Sequence, residues 1–245
     1  MEKVLEIKNL KKSYKKNNAL KGINFEVYKG EILGILGPNG AGKSTMINIL
    51  STILKKDEGE ILYFGKPMEK NEREIKKKIG IVPQDLAIYE DIPSYNNIKF
   101  FASLYGLKGK ELEEAVSKAL KFVKLEDRKK DKPKTYSGGM KRRLNIACSI
   151  AHNPQILILD EPTVGIDPQS RNHILKSLLE LKKQGTTIMY TTHYMEEIEE
   201  IADRVIIMDN GTKIEEGTVT ELLKKYKKES LEEVFLSLTG KNLRD

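Results

Sequence analysis

Three observations predict an α/β fold: a core with a mainly parallel sheet, an N-terminal antiparallel β subdomain and an inserted helical subdomain. Apolar runs alternate with helix-forming stretches over most of the 245 residues, the pattern of parallel strands joined by right-handed crossovers. The first strand-like stretches come without helices between them and alternate in polarity, as half-exposed antiparallel strands do. From Asp85 to Lys134 no strand pattern is found, and a helical stripe takes its place.

Each element has its own signal. Val4, Glu6 and Lys8 alternate with Leu5, Ile7 and Leu10, a strand, and Asn17-Asn18 marks a turn. Ile23 to Val27 alternates again, and Lys29-Gly30 reverses the chain into Ile32–Leu36, an apolar run that reads as a buried strand. Met46–Leu50 predicts a helix. Glu60–Phe64 adds a strand with Gly65-Lys66-Pro67 as its turn, Arg73–Lys78 a short basic helix, and Ile79–Gln84 a short strand stopped at Pro83. Over Glu111–Lys124, Leu112, Ala115, Val116, Ala119, Leu120 and Val123 recur at helical spacing.

Residues 86–150 are therefore read as the helical subdomain, with Lys132–Thr135 a linker inside it. Asn153-Pro154 stops the helix through Ala147 and Ile150. Ile156–Leu159 is apolar throughout, as a strand buried on both faces requires. Pro168 opens a helix to Lys183, ended by Gln184-Gly185. Thr186–Thr191 is a strand, Met195–Ala202 a helix and Val205–Met208 a strand, followed by the hairpin turn Asn210-Gly211 into Thr212–Glu216. Ser230-Leu231-Glu232-Glu233 has the form of a capping box, before a helix with Leu231, Val234, Phe235 and Leu238 on one side. Residues 1–85 and 151–228 thus form the core, and 229–245 a C-terminal extension.

Composition narrows the function. The longest apolar runs fall far short of the roughly 20 residues of a membrane helix, and Met1-Glu2-Lys3 is unlike a signal peptide. One cysteine excludes an internal disulfide and fits a reducing cytosol. Net charge is +7, but the lysines are scattered among nearly as many acids and no basic block interleaves with aromatics, so no nucleic-acid partner is expected.

The chemistry centres on Gly37-Pro38-Asn39-Gly40-Ala41-Gly42-Lys43-Ser44-Thr45, a P-loop between a strand and a helix. Glycines let successive N–H groups turn inward as a nest, and the following helix adds the positive end of its dipole. Lys43 is placed to reach the β- and γ-phosphates of a nucleoside triphosphate, and Ser44 to offer its hydroxyl to Mg²⁺. The apolar strand ends in Asp160-Glu161, where ligands bind in open α/β sheets. Asp160 is expected to hold Mg²⁺, directly or through water. Glu161 is expected to polarise the attacking water as general base.

A family resemblance rests on further runs. Tyr136-Ser137-Gly138-Gly139-Met140-Lys141-Arg142-Arg143 resembles the signature motif of ATP-binding cassette ATPases, usually Leu-Ser-Gly-Gly-Gln, and lies at the family's distance before the acidic strand. Asp160-Glu161-Pro162-Thr163 and Val164-Gly165-Ile166-Asp167-Pro168 resemble its Walker B and D-loop. Gln84 is similar to its Q-loop glutamine, His193 to its switch histidine and Tyr14 to its adenine-stacking aromatic. The resemblance covers essentially the whole chain. It implies an ATPase using ATP and Mg²⁺, with Gln84 sensing Mg²⁺ and water, His193 contacting the γ-phosphate and Asp167 at a dimer interface.

Ser137, Gly138 and Gly139 form a second anion-accepting helix start. The family joins it to a P-loop across a head-to-tail dimer, either of two copies or of this chain with a homologous subunit. The family also implies a separate transmembrane permease, and the pattern is most similar to ATPase subunits of exporters of drugs, sodium or lipid-linked molecules, on the cytoplasmic face of the membrane. Tyr136 and Met140 depart from the usual Leu and Gln, which puts side-chain contacts of that Gln in doubt. Two other readings stay open: a non-transport cassette ATPase acting on nucleic acid or ribosomes, and a P-loop kinase.

Overall fold

In the computed structural model, which describes residues 1–15 and 17–240, polarity alternation near the N-terminus produces two long antiparallel strands, β1 (Lys3–Tyr14) and β2 (Asn17–Tyr28). The chain then enters β3 (Ile32–Leu36) and α1 (Lys43–Leu50). β4 (Glu58–Tyr63) and the two-residue β5 (Lys66–Pro67) follow, then α2 (Glu72–Lys78) and β6 (Ile79–Val82). Three helices come next: α3 (Ser94–Leu104), α4 (Gly109–Phe122) and α5 (Gly138–Ile150). The remainder runs β7 (Ile156–Asp160), α6 (Pro168–Lys183), β8 (Thr187–Thr192), α7 (Met195–Ile201), β9 (Arg204–Asp209), β10 (Thr212–Gly217), α8 (Val219–Tyr226) and α9 (Leu231–Thr239). The expected extension to 245 includes 241–245, which lie outside the described residues.

One four-stranded antiparallel sheet has the order β2-β1-β4-β5, and a six-stranded sheet the order β10-β9-β3-β8-β7-β6. In the larger sheet only β10 runs antiparallel to its neighbour. β3, β7 and β8 are buried along their whole length; β3 and Ile156–Leu159 of β7 are accordingly apolar without alternation, whereas β8 buries Thr191 and Thr192 with their hydroxyls hydrogen-bonded. Leu33 and Ile35 face a core shared with the antiparallel sheet and α1, while Ile32 and Leu36 face a second core under α6, α7, α8 and α9. A third apolar cluster joins Ile98 and Ala102 of α3 to Val116 and Leu120 of α4 and Leu144 and Cys148 of α5. Burial pushes the Cys148 thiol well above its ordinary pKa, so it stays a neutral packing group.

Local turn chemistry misplaced three features. Asn17 and Asn18 are not the first turn: they pair with Tyr14 and Ser13, and the reversal falls one step earlier, beginning at Lys15 with φ 52°. The turn after β4 is Phe64-Gly65, because Lys66 and Pro67 pair back on Tyr63 and Leu62. The complete capping box belongs to α8, where Thr218 and Glu221 cap reciprocally. At α9 the Ser230 side chain accepts from the Glu233 N–H, but the Glu233 carboxylate takes the Glu229 N–H instead.

The junction of α5 with β6 carries a pH-sensitive group. The His152 ring stacks on Tyr105 (3.5 Å, 5°), and its Nε2 lies 3.0 Å from the Ile79 carbonyl. Nε2–H donates there, which leaves Nδ1 unprotonated and without a partner. Burial pulls the ring pKa down to about 4. The unfolded chain therefore takes up the proton first as pH falls. Stability is full above about pH 6.5 and is lost on the way to pH 4, by about 2 kcal/mol between pH 7 and pH 5. Urea unfolding at those two pH values is expected to show this loss, and His152→Phe to reduce it.

Candidate functional site

The loop between β3 and α1 closes around its own lysine. Lys43 Nζ donates to the carbonyls of Gly37 (2.7 Å) and Pro38 (3.2 Å) and lies 3.5 Å from Glu161 Oε1. Lys43 is only 4% exposed. Burial pulls its pKa below the ordinary lysine value, against the pull of the Glu161 and Asp160 carboxylates. Gly42 has φ +99°, and a Cβ there would stand 2.5 Å from the Ala19 carbonyl oxygen, so glycine is required twice over. No side chain caps α1. A first helical turn leaves N–H groups without intrahelical partners, and at this start phosphate oxygens are suitable acceptors.

The acidic pair is set by the end of β7. Thr191 Oγ1, on neighbouring β8, donates to Asp160 Oδ1 at 2.6 Å. Glu161 then leaves the strand with φ 46°, a left-handed conformation uncommon for a side-chain-bearing residue. Its N–H is held by Thr191 O and Oγ1, both at 3.1 Å. The Glu161 carboxylate lies between two partners, with Oε1 beside Lys43 and Oε2 3.4 Å from His193 Nδ1. That nitrogen is buried and makes no hydrogen bond, so the imidazole is close to the carboxylate without being fixed to it.

A cleft of about 320 Å³ opens in front of this group. It gathers Tyr14, residues 38–45, Gln84 and Glu161 of the sequence-derived set. Gly37, Asp160 and His193 adjoin it through their proximity to Lys43 or Glu161. Tyr14 is 46% exposed, with Lys12 Nζ 5.8 Å from its ring centroid. Asn17, Asn18, Ala19, Lys21 and Asn210 also line the cleft and were not anticipated. They arrive by tertiary packing: Gly211 N–H donates to the Ala41 carbonyl, and Lys21 N–H to the Gly211 carbonyl. The Asn210-Gly211 turn was readable as a hairpin, but its seat against the P-loop was not.

The helix start at Ser137 stands elsewhere. Ser137 caps α5, its Oγ accepting from the Met140 N–H at 3.3 Å. Asp167 caps α6, accepting from the Ser170 N–H at 2.8 Å. The two helix starts touch so closely that a Cβ on Gly139 would fall 2.1 Å from Ser170 Oγ. None of Ser137, Gly138, Gly139 or Asp167 lines the cleft. Tyr136, in place of the usual Leu, anchors this loop: its hydroxyl accepts from Ser94 Oγ and donates to the Arg128 carbonyl, both at 2.7 Å. Arg142, on α5, donates to the carbonyls of Pro83 (2.9 Å) and Gln84 (2.6 Å), tying the signature helix to the Gln84 segment. A buried arginine inside a basic run gives no sequence signal of such a tie.

Among the described residues no three His, Cys, Asp or Glu side chains are grouped to hold a metal ion. Ser44, Gln84 and Asp160 instead offer one hydroxyl, one amide oxygen and one carboxylate. That donor set suits a hard cation completing its shell with phosphate oxygens and water, and suits poorly a metal needing a full protein cage.

The family model described as "ABC transporter" matches residues 20–164. The linearmycin resistance ATP-binding protein of Bacillus subtilis is 45% identical over 239 residues, 98% of this chain and 76% of that protein. The Nod factor export ATP-binding protein I of Sinorhizobium fredii is 40% identical over 87% of this chain, which spans only 62% of that protein's length. A solved dimeric ATP-binding cassette in a post-hydrolysis state, bound to ADP and Pi, superimposes with TM-score 0.79 at 29% identity, covering 87% of this chain and 98% of that one.

Proposed function

The chain belongs to the ABC transporter family, and from that premise we propose that two ATPase subunits close head to tail on ATP to drive a separate permease, in the export direction. One observation carries the dimer. Lys43 and Glu161 line one cleft, with Asp160 near Lys43 and His193 beside Glu161, whereas Ser137, Gly138 and Gly139 do not line it. A second phosphate-accepting helix start is of use only to a neighbouring subunit, which can be a copy of this chain or a homologue.

In each site backbone N–H groups among residues 39–45 cradle the phosphates and Lys43 neutralises the β- and γ-oxygens. Tyr14 stacks on the adenine. Glu161 takes a proton from the attacking water, and His193 holds the γ-phosphate side of that water. Ser44, Gln84 and Asp160 would hold Mg²⁺, which supplies charge neutralisation on the transferring phosphoryl group. Ser137 and the N–H groups of Gly138 and Gly139 in the partner close the site, and Asp167, packed at the same helix start, links it to the second site.

Among the described residues no helix is long and apolar enough to cross a membrane; in this reading a separate permease supplies the translocation path. Its docking place would be the groove between α2, β6 and α3, about 780 Å³, lined by apolar Ile81, Phe101 and Leu104 and by charged Arg73, Glu74, Lys76 and Lys77. Docked there, the subunit would sit on the cytoplasmic face of the membrane. The linearmycin and Nod factor relatives carry resistance and export in their names, which supports the export direction.

Crosslinking tests the arrangement. Asn39 and Ser137 are exposed, while Cys148 is buried. Asn39→Cys combined with Ser137→Cys, in a Glu161→Gln background, is expected to give an oxidative dimer that depends on added ATP. Covalent dimer formed equally without nucleotide, or none with it, would overturn the head-to-tail reading.

A further inference from the structure

Behind the Glu161–His193 pair lies a carboxylate that the reaction above does not use. Glu197 on α7 is 1% exposed, and among the described residues no lysine, arginine or histidine is paired with it. Three hydroxyls converge on its Oε2: Tyr190 at 2.7 Å, Thr163 at 3.0 Å and Thr192 at 3.0 Å. Its Oε1 has no partner. Burying a carboxylate without a cation is costly, and donors gathered on one oxygen offset that cost only if all of them stay in place.

The placement of the donors gives the network its meaning. Thr163 is two residues beyond Glu161, on the segment leaving β7. Thr192 immediately precedes His193 at the end of β8, and its Oγ1 also accepts the Tyr194 N–H at 3.0 Å. Glu197 thus fastens the segment carrying the base to the segment carrying the histidine. Neither it nor its three donors lines the cleft. The front of the pair lacks such a tie: His193 Nδ1 is 3.4 Å from Glu161 Oε2 without a hydrogen bond.

We propose that Glu197 is a positioning residue for hydrolysis, setting the separation of Glu161 and His193 through Thr163 and Thr192. It acts after nucleotide binding, because the P-loop cradle contains none of these groups. The proposal rests on the assignment of His193 and Glu161 made above.

Three near-isosteric variants test it: Glu197→Gln removes the charge, and Thr163→Val and Thr192→Val each remove one arm. Each is expected to lower kcat by about tenfold or more while the Kd for a fluorescent ATP analogue with Mg²⁺ moves less than about twofold, the split that separates chemistry from binding. In a His193→Ala background each is expected to add less than about a further twofold loss, since residues acting through one another are not additive. Affinity falling in step with kcat, full multiplicative loss on His193→Ala, or unchanged kcat in all three variants would overturn the proposal. If His193→Ala and Glu161→Gln abolish turnover while the three variants are normal, only this proposal fails. If His193→Ala itself turns over normally, the assignment of the histidine fails and this proposal with it.

Discussion

Glu161→Gln is expected to lower ATP turnover by about a hundredfold to ten-thousandfold, the range for losing a positioned general base, and to leave ATP bound. Glutamine keeps the side chain's length and shape, so the backbone turn at φ 46° and the N–H bonds to Thr191 are undisturbed. It cannot accept a proton from water. It also removes a negative charge that stands 3.5 Å from Lys43 Nζ and would face the γ-phosphate, so affinity for ATP should hold or rise. The variant should accumulate as an ATP-loaded dimer, seen as an ATP-dependent shift in size-exclusion chromatography and as loss of phosphate release in a single turnover. Turnover at the unsubstituted rate would remove Glu161 from its role.

Lys43→Met is expected to fail at the earlier step. Its ammonium is held inside the loop by the Gly37 and Pro38 carbonyls, poised where phosphate oxygens would enter. Charge-assisted bonds of this kind contribute about 1.5–3 kcal/mol each, so ATP affinity should drop by about a hundredfold. The variant also leaves the buried Glu161 carboxylate without its amine. Losing one member of a buried pair costs up to about 3–5 kcal/mol. The 3.5 Å separation here puts the loss at the lower end, measurable as a fall in the thermal midpoint without nucleotide. Isothermal titration with ATP separates the two variants: binding without turnover for Glu161→Gln, little binding for Lys43→Met. Tight ATP binding by Lys43→Met would remove the lysine from phosphate recognition.

Much of this architecture is written in short stretches. Ile156–Leu159 is apolar because both faces of β7 are buried, and that condition shows in any window that contains it. Pro168 starts α6 and Gln184 caps it, as local backbone rules require. The P-loop is likewise a local device, since its glycines and lysine act within nine consecutive residues. Errors arose where strand pairing, and not turn propensity, decides which residues reverse the chain. Asn17 and Asn18 have turn-forming side chains, yet pairing with Tyr14 and Ser13 draws them into β2. α8 (Val219–Tyr226) is not among the elements the sequence predicts, although Thr218 and Glu221 form a full capping box at its start.

Sequence alone thus determined the α/β class and the places of the glycine-rich loop and the acidic pair at strand ends, each the work of neighbouring residues. Only tertiary structure decided how these meet: Glu161 set between Lys43 and His193 by hydrogen bonds to β8, Arg142 tying α5 to the Gln84 segment, Asn210 and Gly211 seated against the P-loop, and three hydroxyls from two chain segments converging on Glu197. The physical reason is range. Backbone propensity and side-chain periodicity act over a few residues, whereas a buried carboxylate or guanidinium takes its partners from whichever strands and helices the packed core brings within about 3 Å.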